Sequence, residues 1–364
     1  MNVCGDLCQR QAAYAKARWL GLDSVGADLA GQIRQDLQIG WEMMNTATGE
    51  FQFMQAEVAS SLYRNGQVLI QRDSAGNTAS AQGIELESHT LQVIDARQLQ
   101  MTCDVNGFEL VTHQLPQHAI NFLDHHSVVS NYYGHCADLV AQHTGAQVYA
   151  FDHNVRSAGG QADKASISGG QDVQGPAHIV HGDYTLRSAP ERVAQLANPP
   201  SGNDTLRGVL AEGQSVVPVH LARAVASGQR RFAIINVWRN IDDQPVATHP
   251  LALCDSRTVV PENLVVFELH YPDRIGENYF SKFADAHRFY YYPAMTTDEA
   301  LLIKQWDSAG RLARSNGQQA DDDADGAPCT FSFHTAFDAA DTPADAPDRW
   351  SIEVRCLVIY PEQE

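Results

Sequence analysis

The chain has 364 residues, 44% of them hydrophobic, and a formal net charge of −19 at pH 7. This length and apolar content allow a substantial buried core, as one large domain or two small ones. The negative charge argues against nucleic acid or an anionic membrane as a partner, because phosphate recognition needs a basic surface.

The cysteines and the N-terminal residues predict a cytoplasmic protein. The seven cysteines are odd in number, scattered and without a CxxC pair, which favours reduced thiols over a disulfide framework or a zinc ribbon. The N-terminus is charged and has no apolar signal-peptide region, and no run of about 18 apolar residues occurs. We therefore expect neither secretion nor a membrane-spanning segment.

The N-terminal quarter of the chain combines helical and β patterns. Apolar residues recur at helical spacing over the first 40 residues, which predicts helices. Short β-like runs separated by turn-forming Asn-Gly pairs follow, at 67–71, 91–95 and 108–112. We assign residues 1–90 to an N-terminal α/β extension that packs on the core, and residues 91–364 to the main domain.

The main domain reads as mostly β with flanking helices. A helix is predicted around 133–143 and a strand over 147–152, followed by helix-like segments at 190–196 and 217–226. The remainder is mainly strands. Many short strands, a few helices and inward-facing polar residues are typical of an antiparallel barrel or jelly roll.

The motif His181-Gly182-Asp183 follows an apolar, β-forming run and is the only HxD motif in the chain. Side chains of a strand alternate between faces, so His181 and Asp183 project together while Gly182 points away. Such a strand end presents an imidazole and a carboxylate to one metal ion. With a distant histidine they would form the 2-His-1-carboxylate facial triad of non-haem Fe(II) oxygenases, although HxD by itself is unspecific.

The run 329–337 supplies a candidate for the distant histidine. Its phenylalanines share one face, whereas His334 shares the other with small residues only. Small neighbours leave space for a ligand, and this favours His334 over the ordinary interpretation of a packed core histidine. His220, His249, His270 and His287 lie in less suitable positions, and none is followed by an Arg-x-Ser at a suitable interval.

Two further strands carry polar residues on one face. In the run 232–239, Asn236 and Trp238 share a face, which fits either a ligand-lined lumen or ordinary core packing. In the run 349–360, one face is apolar and the other carries Arg349, Ser351, Glu353 and Arg355. An enclosed Arg-x-Ser can hold a carboxylate by a bidentate salt bridge and a hydroxyl hydrogen bond, whereas an exposed one is simply a solvated face. Glu353 could neutralise one arginine and leave the other free for an anion.

The chain from about residue 93 onward resembles a known family. It is similar to the CmcJ/AsaB-like hydroxylase/desaturase proteins of the Fe(II)/2-oxoglutarate-dependent oxygenase superfamily. The matching stretches include 106–110, 181–185, 232–239, 250–255, 291–295, 304–308, 334–337 and 349–355. Together they cover roughly three quarters of the chain.

The resemblance implies a double-stranded β-helix (cupin or jelly-roll) core that uses Fe(II), 2-oxoglutarate and O2. Carried over, His181, Asp183 and His334 would be the iron ligands. Arg349 with Ser351 resembles the Arg-x-Ser that grips the distal carboxylate of 2-oxoglutarate. Arg349 and Arg355 also resemble the paired arginines of AlkB-type dioxygenases, so the resemblance leaves open which of the two holds that carboxylate.

The expected function is hydroxylation, desaturation or ring formation on a small molecule, in secondary metabolism by family analogy. The alternatives are a non-catalytic accessory barrel that docks on a partner biosynthetic enzyme and a metal-dependent cupin hydrolase or lyase. Some family members act beside a partner protein, so a homodimer or such a partner stays open. Candidate substrate-binding residues are Tyr184, Asn236, Trp238, Arg239 and Lys304.

Overall fold

A computed structural model of the protein describes residues 45–73, 78–116, 120–202, 204–272, 274–322 and 325–362. The helices predicted over the first 40 residues lie outside the described residues. Within the described residues the protein is mainly β with a few helices, as the sequence predicts. No helix in this part of the chain is long and apolar enough to cross a membrane.

The secondary structure elements are numbered in chain order. The strands are β1 Thr46–Met54, β2 Leu69–Arg72, β3 Thr78–Gln82, β4 Leu86–Asp95, β5 Phe108–Thr112, β6 Gln147–Arg156, β7 His181–Gly182, β8 Phe232–Asn240, β9 Leu251–Cys254, β10 Leu264–His270, β11 Ile275–Ser281, β12 Phe289–Tyr291, β13 Glu299–Asp307, β14 His334–Ala336, β15 Asp338–Ala339 and β16 Ser351–Ile359. The helices are α1 His125–Ser127, α2 Tyr133–Thr144, α3 Ala158–Ala162, α4 Ser188–Leu196, α5 Val219–Ala226 and α6 Arg311–Arg314, with a π-helical turn at Val128–Tyr132 and 3-10 turns at Ser256–Thr258 and Pro261–Asn263.

Among the described residues the strands form two sheets. The first has the order β15-β1-β4-β12-β9-β14-β7-β11-β10-β2-β3, and the second has the order β5-β13-β8-β16-β6. The second sheet is antiparallel throughout. Strands β1 to β4 belong to the same sheet as β7 and β14. The assignment of residues 1–90 to a separate extension stays a prediction.

Alternating side chains of the second sheet are buried on both faces. Phe232 and Ile234 of β8 belong to an apolar cluster that also contains Val266 and Tyr279 of the first sheet. Their neighbours Ala233, Ile235 and Val237 belong to another cluster, which includes residues of α2. One face of β8 therefore packs toward the first sheet and the other toward α2, and these are the two faces that the sequence alternation separates.

The segment 329–333 passes between the two sheets. The Ser332 backbone N–H donates to the carbonyl of Lys304 in the second sheet, whereas the Phe333 carbonyl accepts from Cys254 in the first. Because its hydrogen bonds are divided between two sheets, the segment forms no continuous ladder. The predicted strand over 329–337 is therefore a regular strand only at His334–Ala336.

Candidate functional site

The pairing of two short strands brings the predicted histidines together. In the antiparallel pair β7–β14, His181 and His334 are direct cross-strand partners, and their ring centroids lie 4.4 Å apart. Gly182 faces away, and a Cβ at this position would lie 3.0 Å from the ring of Phe331. A side chain between His181 and Asp183 would therefore press on the aromatic core beneath the site.

Asp183 completes a group of three metal-ligating side chains, which we call the triad (His181, Asp183 and His334). Its Oδ1 lies 3.6 Å from Nε2 of His181 and 4.0 Å from Nε2 of His334. One ligand atom from each residue lies within 4.8 Å of the others. The structure thus brings together the three residues that the sequence analysis selected as a metal centre.

The protonation states of the triad suit metal binding. Burial and the neighbouring His334 lower the pKa of His181 to about 4, and burial lowers the pKa of His334. Burial raises the pKa of the Asp183 carboxyl, but Arg355 and both histidines outweigh this effect and hold it well below its usual range. At neutral pH the triad therefore offers two neutral imidazoles and one carboxylate.

The triad side chains are held by neighbours that leave the ligand atoms free. Nδ1 of His181 lies 2.7 Å from the carbonyl oxygen of Ile179. A carbonyl can only accept, so Nδ1 carries the proton and the lone pair is on Nε2. Asn236 donates to Oδ2 of Asp183 at 3.0 Å, and Arg355 Nε donates to the same oxygen at 3.3 Å. Oδ1 is left for a metal.

Gln305 is a site residue that the sequence analysis missed. It is fully buried, and its Oε1 accepts from the backbone N–H of Asp183 at 3.1 Å. Its Nε2 lies 3.5 Å from Nδ1 of His334. The register of β13 shifts between Lys304 and Trp306, so Gln305 occupies a β-bulge. Bulges redirect side chains near active sites, and the sequence carries no local signal for this one.

Arg349 and Ser351 offer buried polar groups that suit an anion. Arg349 lines the same pocket as the triad, and its Nε and the Ser351 hydroxyl are buried with no hydrogen-bond partner among the described residues. Arg349 Nη1 donates to the carbonyl of His249, and Trp238 lies against its guanidinium. Burial and the nearby Arg156 lower the pKa of Arg349 to about 9, so it remains a cation at neutral pH. A buried cation of this kind favours an anionic ligand.

Arg355 differs from Arg349 because carboxylates surround it. It contacts Asp183, Asp152 at 3.0 Å and Glu353 at 3.3 Å. Burial lowers the pKa of Arg355, but these three carboxylates outweigh burial and raise it well above the usual value. Arg355 is committed to protein groups, and Glu353 is one of them.

Arg156 is a second cation beside the triad that the sequence analysis did not select. It is the cross-strand neighbour of Ser351 on β6 and borders the pocket of the triad. Its Nη1 donates to the Gly175 carbonyl at 2.8 Å, and no carboxylate lies within 4.0 Å of it in the described part of the chain. The alternation Asp152, Asn154, Arg156 continues beyond the predicted strand end, and extending the strand would have revealed it.

The substrate-binding candidates divide into two groups. Tyr184 lines a cavity of about 530 Å³ that also borders Asp183, and Trp238 lines the pocket beside Arg349. Asn236 is hydrogen-bonded to Asp183, as described above. Arg239 and Lys304 line neither of these two spaces.

The side chains of Arg239 and Lys304 are bound elsewhere in the protein. Arg239 donates to the Tyr132 hydroxyl and to the backbone carbonyl of His113. Lys304 pairs with Asp104 at 2.7 Å and with Asp307 at 3.0 Å. Both side chains are buried and supply their charge to protein groups away from the triad.

The donor set of the triad fits a divalent iron. Two neutral imidazoles and one ionised carboxylate are the donor set typical of non-haem Fe(II) sites. Arg349 Nε and Ser351 Oγ, which have no hydrogen-bond partner among the described residues, fit a carboxylate in the adjacent pocket. The residues present are therefore chemically suited to Fe(II) and to a co-substrate with a free carboxylate.

Residues 52–359 match the family model described as "Oxidoreductase/YMDC permease-like domain". The chain belongs to this family. It is 40% identical over 202 residues to the "Uncharacterized protein in dcmA 3'region" of Methylophilus leisingeri, covering 55% of this chain and 94% of that protein.

Two fungal relatives have names that state a chemistry. The chain is 30% identical over 278 residues to the "Fe(II)/2-oxoglutarate-dependent dioxygenase nvfI" of Aspergillus novofumigatus, covering 74% of this chain and 83% of that protein. It is 28% identical over 288 residues to the "Hydroxylase/desaturase efuI" of Hormonema carpetanum, covering 73% and 81%. The predicted kinship with hydroxylase/desaturases of the Fe(II)/2-oxoglutarate-dependent oxygenases is confirmed.

A solved structure shows the same fold. The "iron and alpha-ketoglutarate-dependent endoperoxidase NvfI" superimposes with a TM-score of 0.64 and 24% sequence identity, covering 87% of this chain and 99% of that one. At this identity the likeness concerns the fold alone.

Proposed function

We propose that this protein is a non-haem Fe(II)/2-oxoglutarate-dependent oxygenase that hydroxylates, desaturates or cyclises a small molecule of secondary metabolism. One observation carries the proposal: Arg349, a buried cation without a carboxylate partner among the described residues, shares a pocket with the triad. A 2-oxo acid co-substrate requires metal-ligating side chains beside a cation that can hold its free carboxylate. Membership of the family and the named chemistry of the fungal relatives support it.

Each triad residue has a defined role in this proposal. His181 and His334 would hold Fe(II) through Nε2, and Asp183 through Oδ1. Bound Fe(II) supplies the open coordination positions at which 2-oxoglutarate and O2 react. Asn236, Arg355 and Gln305 are positioning residues, because each hydrogen-bonds to Asp183 and fixes its orientation.

Arg349 is the residue proposed to hold the distal carboxylate of 2-oxoglutarate. Its Nε and the Ser351 hydroxyl, both without a hydrogen-bond partner in the described part of the chain, can donate to that group. Arg355 is the weaker candidate because Asp183, Asp152 and Glu353 already neutralise it. The pairing of Arg355 with Glu353 leaves Arg349 available for an anion.

The substrate is proposed to occupy the cavity of about 530 Å³ that borders Asp183 and Tyr184. This volume is within the range of small-molecule sites. Of the candidates from the sequence analysis, Tyr184 lines this cavity, and Trp238 lines the adjacent pocket of the triad. The two sheets and the fold shared with NvfI support a double-stranded β-helix core. Such a core would place both sides of the site on strands.

The proposed function is tested by co-substrate turnover. Protein loaded with Fe(II) without oxygen should show the visible charge-transfer band of an Fe(II)·2-oxoglutarate chelate, and exposure to air should bleach the band and release succinate. Asp183→Ala is the matched control and should show neither signal. Absence of both signals in the wild-type protein would refute the proposal, because uncoupled turnover, even when slow, still begins with the chelate.

A further inference from the structure

A second group of metal-ligating side chains lies outside the triad. We call His178, His249 and Asp338 the second cluster. One ligand atom from each lies within 4.8 Å of the others. Asp338 Oδ1 lies 2.6 Å from Nδ1 of His249, and its Oδ2 lies 4.0 Å from Nδ1 of His178. The two imidazole centroids are 5.3 Å apart.

Backbone hydrogen bonds fix the relative positions of the three residues. The N–H of Ala336 donates to the carbonyl of Ala177 at 2.7 Å, and the N–H of Phe337 donates to the carbonyl of Pro250 at 3.1 Å. The chain leading to Asp338 is therefore bound on one side to the neighbour of His178 and on the other to the neighbour of His249. A site assembled in this way needs little ordering when a ligand binds.

A structural role explains only part of this arrangement. The hydrogen bond between His249 and Asp338 joins two of the residues, but it leaves His178 at 4.0 Å, beyond hydrogen-bond distance. His249 also has a φ of +45°, which is rare for a residue other than glycine, and it precedes a proline, which normally favours an extended residue. The backbone is thus strained at the residue that carries one of the imidazoles.

We propose that the second cluster binds a divalent transition-metal ion of the zinc class, with water completing its coordination. Two imidazoles and a carboxylate are a common donor set for such ions. The ligand atoms of tetrahedral zinc lie about 3.3 Å apart, and the 2.6 Å and 4.0 Å separations lie on either side of this value. A small displacement of the Asp338 carboxylate away from His249 and toward His178 makes the two separations equal, and the 65% exposed side chain leaves room for water.

The second cluster lies next to the residues that hold Arg349. The carbonyl of His249 accepts from Arg349 Nη1, and the hydroxyl of Thr248 accepts from the Arg349 backbone N–H at 3.0 Å. A metal ion on His249 therefore stabilises the segment that positions Arg349. This consequence for co-substrate binding rests on the proposed function, whereas metal binding by the second cluster does not.

Metal stoichiometry tests the proposal. The variant Asp183→Ala/His334→Ala removes the triad, and Zn2+ is measured by equilibrium dialysis, with Co2+ as a spectroscopic probe. We expect this variant to bind one Zn2+ and to give the visible spectrum of Co2+ with imidazole ligands. Adding His178→Ala should abolish both signals, whereas adding His220→Ala, a change of an exposed histidine on α5, should preserve them.

Two outcomes would overturn the proposal. One is the absence of bound Zn2+ in Asp183→Ala/His334→Ala, and the other is binding that survives His178→Ala. If the double variant does not fold, the wild type is compared with His178→Ala alone, and the number of bound Zn2+ ions should fall from two to one. His249→Asn is a further variant, because asparagine tolerates a positive φ and should keep the backbone while removing the imidazole.

Discussion

The triad and the second cluster have the same donor groups in different surroundings. Each combines two histidines with one aspartate whose oxygens face both imidazoles. The triad is enclosed. Arg355 and Asn236 donate to the carboxylate of its aspartate, and Gln305 accepts from the backbone N–H of the same residue. In the second cluster the aspartate side chain is 65% exposed, and described side-chain contacts to it come only from the two histidines.

The comparison shows that the donor set alone does not define a catalytic centre. The triad lines the pocket that contains Arg349, and Asp183 also borders a cavity of about 530 Å³. Chemistry on a small molecule needs these neighbouring spaces as much as it needs the metal. His178, His249 and Asp338 line neither of these two spaces, which suits a structural or regulatory ion.

The largest expected effect is a difference in turnover between variants of the two aspartates, Asp183 and Asp338. Asp183→Ala should abolish release of succinate from 2-oxoglutarate, because it removes one of three metal ligands. The protein should remain folded, since Arg355 keeps Asp152 and Glu353 as partners, and a thermal melt checks this. Asp338→Ala is the matched change in the second cluster and should retain turnover. Equal turnover in wild type and Asp183→Ala would remove the triad from the mechanism.

The next effect concerns Arg349, in the pocket of the triad. Arg349→Ala should raise the 2-oxoglutarate concentration for half-maximal turnover about ten- to a hundredfold, because a charge-assisted carboxylate contact contributes about 1.5–3 kcal/mol. Affinity for Fe(II) should change little. Arg349→Lys, which keeps the charge but not the planar fork, should restore part of the loss. An unchanged co-substrate requirement in Arg349→Ala would transfer the role to Arg156 or Arg355.

A smaller effect tests whether the surroundings of the triad matter. Gln305→Leu should weaken Fe(II) binding about tenfold, the lower end of what loss of an outer hydrogen-bond partner costs, because the Asp183 backbone loses its acceptor. Titration of Fe(II) under anaerobic conditions measures this. Gln229→Leu, at an exposed position outside the site, is the control and should bind Fe(II) as the wild type does. Identical affinities in the two variants would mean that Gln305 does not position the triad.

The smallest effect is expected at the second cluster. His178→Ala should change the rate of succinate release by no more than about twofold, a change in activation free energy within about 0.5 kcal/mol, because His178 lines neither the pocket of the triad nor the cavity beside Asp183. The assay is run at saturating Fe(II) and 2-oxoglutarate. A loss as large as that of Asp183→Ala would show that the two clusters act as one site.

Much of the site could be predicted because its parts are local in the sequence. HxD at a strand end and Arg-x-Ser on an alternating strand place their side chains by a period of two residues, whatever the rest of the fold does. His334 was selected through its small neighbours. In the structure only Ala336 of those neighbours lies on β14, the strand that pairs with β7, and Thr330 and Ser332 precede it.

Other parts of the site had no local signal. Gln305 reaches the triad only because of a bulge, and a bulge is visible only against the partner strand. Arg239 and Lys304 were selected as charged residues on polar strands, but their partners come from distant segments, such as Tyr132 and Asp104. The second cluster was missed because its members lie far apart in the chain.

The sequence by itself determined the mainly β character, the alternating faces of β8 and β16, and the direction in which His181 and Asp183 project. These depend on the apolar periodicity and on the two-residue period of an extended chain. Only the tertiary structure decided that His334 pairs with His181 and that Arg355 is neutralised while Arg349 is left without a carboxylate partner in the described residues. Such pairings depend on which distant strands lie side by side and on which charges are buried together, and no local pattern encodes either.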